Sequence, residues 1–300
     1  MADIYQQIWD ADQQHAGVKA VKKGTEITDA LRAHGYVTVD EAETAPREFA
    51  LLAELHIPEA KQPAYTRFTK LINNYTLDQT KHETDTPEEL AEVQSFLEAC
   101  IATPPMRLAQ AYVQEQIRNN NPGFTLTDDA WWTIVERLWF ERFDLGQNKD
   151  LSAFEHVCIG EQKGGKLGGY HFWFKYHLDE QFREDMDDEF TDLISFLGGY
   201  LETGAGERDT TPDVVTLEFE IKAFDYEARA HRPLRKPKGG FFVGPSIDGL
   251  LALGTVRAYR DAHAPRQATI NGALYDLTIQ PAVTSRNFRS FYPEFVRMLP

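Results

Sequence analysis

The sequence predicts an α+β protein in which a helical N-terminal lobe packs with a β-rich C-terminal lobe of antiparallel sheets. In the first half of the chain, apolar residues recur at helical spacing, and in the second half they alternate with polar residues. Helices that come first and strands that come later are typical of this class. We place the lobes at residues 1–145 and 146–300 and treat them as parts of one domain.

Three segments of the first half predict amphipathic helices. Residues 86–89, Thr-Pro-Glu-Glu, begin one of them, because a threonine cap with proline next and glutamate three residues later forms a capping box. Residues 119–123, Asn-Asn-Asn-Pro-Gly, break the helical pattern. The stripes that predict buried helix faces are Tyr65, Phe68, Leu71, Ile72 and Tyr75; Leu90, Val93, Phe96, Leu97 and Cys100; and Trp131, Ile134, Val135, Leu138 and Trp139.

The second half of the chain predicts mainly strands. Residues 215–223 alternate between apolar and polar side chains, as expected of a half-buried strand, and residues 275–279 resemble a second one. The alternation in residues 170–177 predicts a strand with His171, Trp173, Lys175 and His177 on one face. Ser246 is a suitable cap for a short helix over the leucines that follow.

Charge and composition restrict the function classes. The net charge of −16 argues against a general nucleic-acid coat protein, whose affinity comes from a broadly basic surface. Residues 229–238 nevertheless hold five basic side chains and no acid, so this segment is either a local polyanion site or a solvated loop. The basic side chains are Arg229, Arg232, Arg235, Lys236 and Lys238.

The compartment predicted for the chain as given is the cytoplasm. Its first residues lack a basic region followed by an apolar core, and no apolar run approaches the roughly 20 residues that span a bilayer. We therefore expect no membrane partner. The two cysteines, Cys100 and Cys158, are too few for a disulfide framework and are expected to be buried thiols.

Two histidines, His156 and His171, stand at the ends of a glycine-rich loop between strand-like apolar runs. Such a turn folds the chain back and brings its flanking residues together. Two neighbouring imidazoles suit acid–base chemistry near neutral pH, although a hairpin with two purely structural histidines fits the same pattern. A zinc site that adds Glu155 and His177 is disfavoured, because adjacent residues of a strand face opposite ways.

Several separated motifs resemble the EndoU family of uridylate-preferring endoribonucleases. Residues 154–161, Phe-Glu-His-Val-Cys-Ile-Gly-Glu, and 168–171, Gly-Gly-Tyr-His, resemble the histidine motif of that family, and the spacing between the histidines needs no gap against its coronavirus version. Lys236-Pro237 followed by Phe-Phe-Val-Gly at 241–244 resembles its lysine segment, and residues 290–293, Ser-Phe-Tyr-Pro, its terminal Thr-x-Tyr-Pro. Residues 8–12, 65–68, 73–75, 96–97 and 103–106 extend the resemblance over essentially the whole chain.

The resemblance implies cleavage of single-stranded, uridine-containing RNA by transesterification. His171 would act as general base on the ribose 2′-hydroxyl and His156 as general acid on the leaving 5′-oxygen. Lys236 would neutralise charge on the phosphate oxygens, with Lys238 as the less favoured alternative. The products would be a 2′,3′-cyclic phosphate and a 5′-hydroxyl.

The resemblance also implies a binding set around the catalytic residues. Tyr292 would stack on the uracil or ribose, and Glu161 would orient the loop or a histidine. Gly240 stands where relatives commonly carry a serine that helps to read the base, a role that Ser290 could share. Gly169, in the glycine-rich stretch of the motif, completes the set of candidate residues.

The sequence leaves two questions open: whether the protein needs a metal ion, and whether it is catalytically active. Some animal relatives need manganese or calcium, so a divalent cation such as Mn²⁺ is a possible cofactor, although the two-histidine mechanism requires none. The acids between Asp179 and Asp192 could bind a cation, but a solvated acidic helix is the better expectation. The alternative functions are an inactive RNA-binding protein and a metal-dependent phosphodiesterase, and the sequence leaves the oligomeric state undetermined.

Overall fold

A computed structural model describes residues 3–40, 50–78, 82–146, 149–180, 194–198, 212–282 and 287–300. The helices are α1 (Ile4–His15), α2 (Asp29–His34), α3 (Gln62–Leu71), α4 (Pro87–Ile101), α5 (Pro104–Asn120), α6 (Asp128–Trp139), α7 (Trp173–Glu180) and α8 (Ile247–Ala258). The strands are β1 (Lys19–Lys22), β2 (Tyr36–Val39), β3 (Glu54–His56), β4 (Phe143–Gly146), β5 (Lys149–Leu151), β6 (Glu161–Lys163), β7 (Lys166–Gly168), β8 (Ile194–Gly198), β9 (Val214–Asp225), β10 (Ala230–Phe242), β11 (Gln267–Ile270), β12 (Ala273–Pro281) and β13 (Phe288–Met298).

The α+β class is confirmed, with most helices in the first half and the larger sheets in the second. The largest sheet has the strand order β6-β7-β10-β9-β8, and β11-β12-β13 form a second, antiparallel sheet. In the largest sheet only β7 and β10 run parallel. The strands expected at residues 215–223 and 275–279 are confirmed as parts of β9 and β12.

The first half also contains a three-stranded sheet that the sequence analysis does not anticipate. Its strands are three or four residues long, and β2 is buried at every position. Strands of three or four residues are too short to establish a period, and β2 is also buried on both faces. The pattern that identifies a half-buried strand is therefore missing from them.

The strand expected over residues 170–177 is wrong, because α7 begins at Trp173. Trp173, Phe174 and Tyr176 are buried, as are Asp179 and Glu180, and no residue of this helix is exposed. A helix buried on several sides lacks the polar face that would reveal its period. His156 likewise lies on a π-helical turn, Glu155–Ile159, and not on a strand.

The helix boundaries follow local sequence signals closely. Helix α4 begins at Pro87 with both hydrogen bonds of the expected capping box, between Thr86 and Glu89. Helix α8 begins after Ser246, whose hydroxyl accepts a hydrogen bond from a backbone amide of the first turn. Helix α3 ends at Leu71, and a 3-10 turn follows, so Tyr75 lies beyond the helix that its spacing suggested.

One hydrophobic cluster joins residues from both halves of the chain. Helix α8 is buried from Ile247 to Val256 and contacts α1, α3, α5 and α6. A lobe boundary at residues 145/146 stays a prediction. Both cysteines are buried free thiols, as expected. In the part of the chain that the structure describes, no helix is long and apolar enough to cross a membrane.

Helix α8 packs so closely on α6 that Gly254 has no room for a side chain. A Cβ atom at this position would lie 2.4 Å from the Trp139 ring. The indole is held in place, because its Nε1 donates a hydrogen bond to the hydroxyl of Thr255 at 2.9 Å. We therefore expect Gly254→Ala to lower the free energy of unfolding by about 1–3 kcal/mol, measured by urea denaturation.

The matched control is Gly123→Ala, where no heavy atom lies within 4 Å of the added Cβ. We expect this variant to unfold within about 0.5 kcal/mol of the parent protein. Equal stability of the Gly254→Ala variant and the control would contradict the packing of α8 against Trp139.

Candidate active site

A cleft of about 240 Å³ brings together every candidate site residue that the sequence analysis named. The candidates that line it are His156, Glu161, Gly169, His171, Lys236, Lys238, Gly240, Ser290 and Tyr292. They come from the π-helical turn, the segment before α7, and strands β6, β10 and β13. Thr216, Gln280 and Arg289 line the same cleft and were not anticipated.

The two histidines meet because the segment before α7 runs against the π-helical turn. The backbone amide of Tyr170 donates to the carbonyl of His156 at 2.8 Å, and that of His171 donates to the carbonyl of Val157. Gly169 has a φ of +59°, and a Cβ there would lie 1.8 Å from the carbonyl oxygen of His156. Only glycine permits this approach. The two imidazole centroids are 6.0 Å apart as a result.

His156 lies beside a buried carboxylate. Its Nδ1 is 2.7 Å from Oε2 of Glu161, and Oε1 of the same carboxylate accepts a hydrogen bond from Arg289 at 2.8 Å. Burial alone would raise the pKa of Glu161, but His156 and Arg289 lower it to about 2. The carboxylate is therefore ionised, and we assign the Nδ1 proton of His156 to this contact.

Arg289 also approaches Nδ1 of His156, with its Nε at 3.5 Å. A contact of that length is at the limit of a hydrogen bond, so the 2.7 Å contact with Glu161 decides which partner Nδ1 serves. With Nδ1 occupied, Nε2 is the nitrogen of His156 that can exchange a proton with a ligand.

His171 has the opposite environment. Its Nδ1 lies 2.8 Å from the carbonyl oxygen of Gly240, which can only accept, so Nδ1 carries the proton. Burial, followed by the charges of Lys236 and His156, holds the pKa of His171 well below its ordinary value, although the Gly240 contact opposes this. The ring is thus neutral, with the lone pair on Nε2. Tyr292 stacks on it at a centroid distance of 4.7 Å.

The two candidate lysines differ in burial. Lys236 is 7% exposed, and burial lowers its pKa to about 8 against the attraction of Glu161. The side chain of Lys238 is 48% exposed and forms an ion pair with Glu294 at 3.2 Å. A bulge in the pairing with β9 separates Lys236 from Gly239. Lys236 is therefore buried in the cleft, and among the described residues it has no acidic partner at ion-pair distance.

Two residues that line the cleft, Ser290 and Thr216, carry hydroxyl groups. The Oγ of Ser290 is buried and has no hydrogen-bond partner among the described residues. Thr216 is paired with Gly240 across β9 and β10, and its Oγ1 is 3.5 Å from the place where a Cβ at position 240 would lie. Thr216 therefore offers a hydroxyl beside Gly240.

The sequence offered no signal for Thr216, because only the register of β9 on β10 brings it to the cleft. It offered a weak one for Arg289, which directly precedes Ser290 in the terminal motif. Nothing in the sequence indicates that Arg289 donates a hydrogen bond to Glu161, because the two residues lie far apart in the chain.

Glu155 and His177, which the disfavoured zinc site would add to the two histidines, do not line the cleft. Glu155 contacts Arg142 at 3.2 Å, away from the cleft, and Nδ1 of His177 is 3.3 Å from the carbonyl of Leu52. Burial, together with Glu83, raises the pKa of Glu155 well above its ordinary value. No group of three or more histidine, cysteine or acidic residues within the described ranges could hold a metal ion. The acids at 181–192 lie outside those ranges.

The basic segment at residues 229–238 is mostly strand β10, so it is not a loop. Three of its charges are compensated: Arg232 pairs with Asp225, Arg235 pairs with Glu218 and Lys238 pairs with Glu294. The segment therefore does not form a general polyanion surface. Its main contribution to the cleft is Lys236.

Comparison with known proteins gives a consistent result along the chain. Residues 1–293 match the sequence model of the family described as Endoribonuclease XendoU. The chain is 26% identical over 299 residues to the poly(U)-specific endoribonuclease-A of Xenopus laevis, covering 98% of this chain and 92% of that protein. It is 28% identical over 193 residues to a human uridylate-specific endoribonuclease, covering 64% of this chain and 40% of that protein.

A solved structure has the same fold. It is described as XendoU, a splicing independent snoRNA processing endoribonuclease, and it superposes with a TM-score of 0.68 at 23% identity. The superposition covers 99% of this chain and 96% of that one.

The burial of Lys236 can be measured directly. We expect the ε-carbon resonance of one lysine to titrate with a midpoint near 8, because burial disfavours the charged ammonium. The measurement is a ¹³C NMR titration of the labelled protein. The transition should be missing in Lys236→Met, and a Lys236 midpoint near the ordinary lysine value of about 10.4 would contradict the arrangement.

Proposed function

The chain belongs to the XendoU family of endoribonucleases, and from this premise we propose that it cleaves single-stranded RNA at uridylates by transesterification. The observation that carries the proposal is the complementary setting of two histidines in one cleft. His171 is buried against the Gly240 carbonyl and held neutral, whereas His156 contacts the ionised carboxylate of Glu161. A neutral base and an acid on opposite sides of a phosphate are what in-line attack requires.

His171 takes the role of general base. Its Nδ1 is engaged by Gly240, so its Nε2 accepts the proton of the ribose 2′-hydroxyl while the 2′-oxygen bonds to phosphorus. The stacked Tyr292 ring limits rotation of the imidazole. The depressed pKa keeps the base unprotonated at neutral pH.

His156 takes the role of general acid. As the bond from phosphorus to the 5′-oxygen breaks, Nε2 of His156 delivers a proton to that oxygen. Glu161 holds the ring through Nδ1 and balances the charge of the imidazolium form, as a carboxylate does for the histidine of a catalytic triad. The products are a 2′,3′-cyclic phosphate and a 5′-hydroxyl, and proton exchange with water resets both histidines.

Lys236 supplies the positive charge that the transition state needs. Its ammonium is charged at neutral pH, because its pKa of about 8 still lies above that pH. In a buried cleft such a charge stabilises a developing phosphorane more than it would in water. Arg289 acts through Glu161 and His156 and is a positioning residue.

Base recognition is assigned to Tyr292 and to the hydroxyls of Ser290 and Thr216, which line the cleft. Tyr292 provides a stacking surface at the mouth of the cleft. The hydroxyls of Ser290 and Thr216 can hydrogen-bond the edge of a pyrimidine, taking the place of a side chain that Gly240 lacks.

A divalent cation remains an expectation from the resemblance. The described residues offer no cluster suited to one, so no step of the proposal passes through a metal ion. The reading as an inactive RNA-binding protein is less well supported, because His156, His171 and Lys236 all line one cleft.

The attacking group gives the sharpest test of the mechanism. We expect an oligonucleotide with one uridine in an otherwise deoxy chain to be cut after that uridine, and the same chain with 2′-deoxyuridine to stay intact. The reason is that the 2′-oxygen is the nucleophile. The measurement is mass spectrometry of the products, which should show a cyclic phosphate on the 5′ fragment.

The His171→Ala variant serves as the matched control, with a rate expected to fall by about 10²–10⁴-fold. Cutting at the deoxy position, or a linear phosphate as the first product, would refute the two-histidine mechanism and favour attack by an activated water.

The hydroxyls can be tested through base preference. We expect Thr216→Val and Ser290→Ala each to lower the ratio of kcat/KM for uridine over cytidine by about fivefold, the equivalent of one net hydrogen bond. Thr66→Val on the exposed face of α3 is the control and should leave the ratio unchanged. An equal loss on both bases would show that the hydroxyls support the cleft without reading the base.

A further inference from the structure

Strands β6 and β7 form a hairpin whose tip carries two lysines directly opposite each other. Lys163 pairs with Lys166 across the Gly164-Gly165 turn, and both side chains are exposed. Like charges in directly opposed positions destabilise a strand pair. Neither lysine has an ion pair or hydrogen bond among the described residues. The chain has a net charge of −16, so these two lysines are a local exception to its acidic character.

This lysine hairpin, residues 161–168, is fixed to the catalytic cleft. Strand β6 begins with Glu161, which contacts Nδ1 of His156. Lys163 lies two residues further along the same strand, hence on the same face, and it lines the cleft. Gly164 adopts a φ of +60°, so the turn is tight and sets Lys166 directly opposite Lys163.

The charge around the cleft is locally positive. Four basic side chains and two carboxylates line it, which leaves a formal excess of two positive charges when both histidines are neutral. The neighbouring arginines of β10 are neutralised, Arg232 by Asp225 and Arg235 by Glu218. Next to the cleft, the lysine hairpin therefore offers an incoming polyanion exposed positive charge that has no acidic partner among the described residues.

We propose that the lysine hairpin binds the backbone phosphates of the RNA on the 3′ side of the cleaved bond. The proposal rests on the proposed function, because the polarity comes from the role of His156. The leaving 5′-oxygen belongs to the nucleotide 3′ of the cut, and His156 protonates it. The RNA downstream of the cut therefore leaves the cleft past Glu161 and runs over Lys163 and Lys166.

The experiment compares two substrates of equal length, each with one uridine in a deoxy chain. One carries its long tail on the 3′ side of the uridine and the other on the 5′ side. The double variant Lys163→Ala, Lys166→Ala is compared with a control of equal charge, Lys19→Ala, Lys70→Ala, in which both replaced lysines are exposed and outside the cleft.

We expect the hairpin variant to lose about tenfold more kcat/KM on the 3′-tailed substrate than on the 5′-tailed one. Binding of the 3′-tailed chain with 2′-deoxyuridine should also become less salt-dependent. The slope of log Kd against log salt should fall by about 1.4, from two phosphate contacts on a single strand. The control variant should lose equally on both substrates.

Each other outcome is decisive. Equal losses of the hairpin variant on both substrates, or a larger loss on the 5′-tailed one, would overturn the proposal while leaving the endoribonuclease function intact. Failure of the proposed function would look different, because the parent protein would then cut neither substrate. Unchanged binding and salt slope in the hairpin variant would also overturn the proposal.

Discussion

The candidate active site depends on one close backbone contact. The segment at residues 169–171 hydrogen-bonds to the π-helical turn Glu155–Ile159, and Gly169 alone makes room for the carbonyl of His156. Any side chain at Gly169 would push the two segments apart and separate the histidines. The π-helical turn and the segment that leads into α7 therefore act as one unit, and the hydrophobic cluster that buries both of them holds the unit in place.

A second constraint is electrostatic. The cleft holds two imidazoles with unlike partners, a carboxylate at His156 and a backbone carbonyl at His171. His156 and Arg289 lower the pKa of Glu161 and keep it ionised, while burial and the charge of Lys236 lower the pKa of His171 and keep it neutral. The two rings are only 6.0 Å apart, so it is these unlike partners that distinguish the proposed base from the proposed acid. The proposed acid and base roles thus follow from the group that contacts Nδ1 of each ring.

The fold could be read from the sequence where local signals are strong. The capping box at Thr86 identifies the start of α4 because it depends only on neighbouring residues. The alternation in residues 215–223 identifies β9, where most of the polar side chains are less buried than the apolar ones. The reading failed where a segment is buried all round, as in α7 and β2. Burial on every side removes the polar face from which the period of a helix or strand is read.

The sequence by itself determined the family and the identity of the candidate catalytic set, since the spacing and type of His156, His171 and Lys236 are local properties of the chain. Only the tertiary structure decided which lysine is buried, which nitrogen of each histidine is free, and that Thr216 and Arg289 belong to the cleft. The physical reason is that pKa, tautomer and cross-strand register depend on residues far apart in the chain, which meet only when the sheets pack.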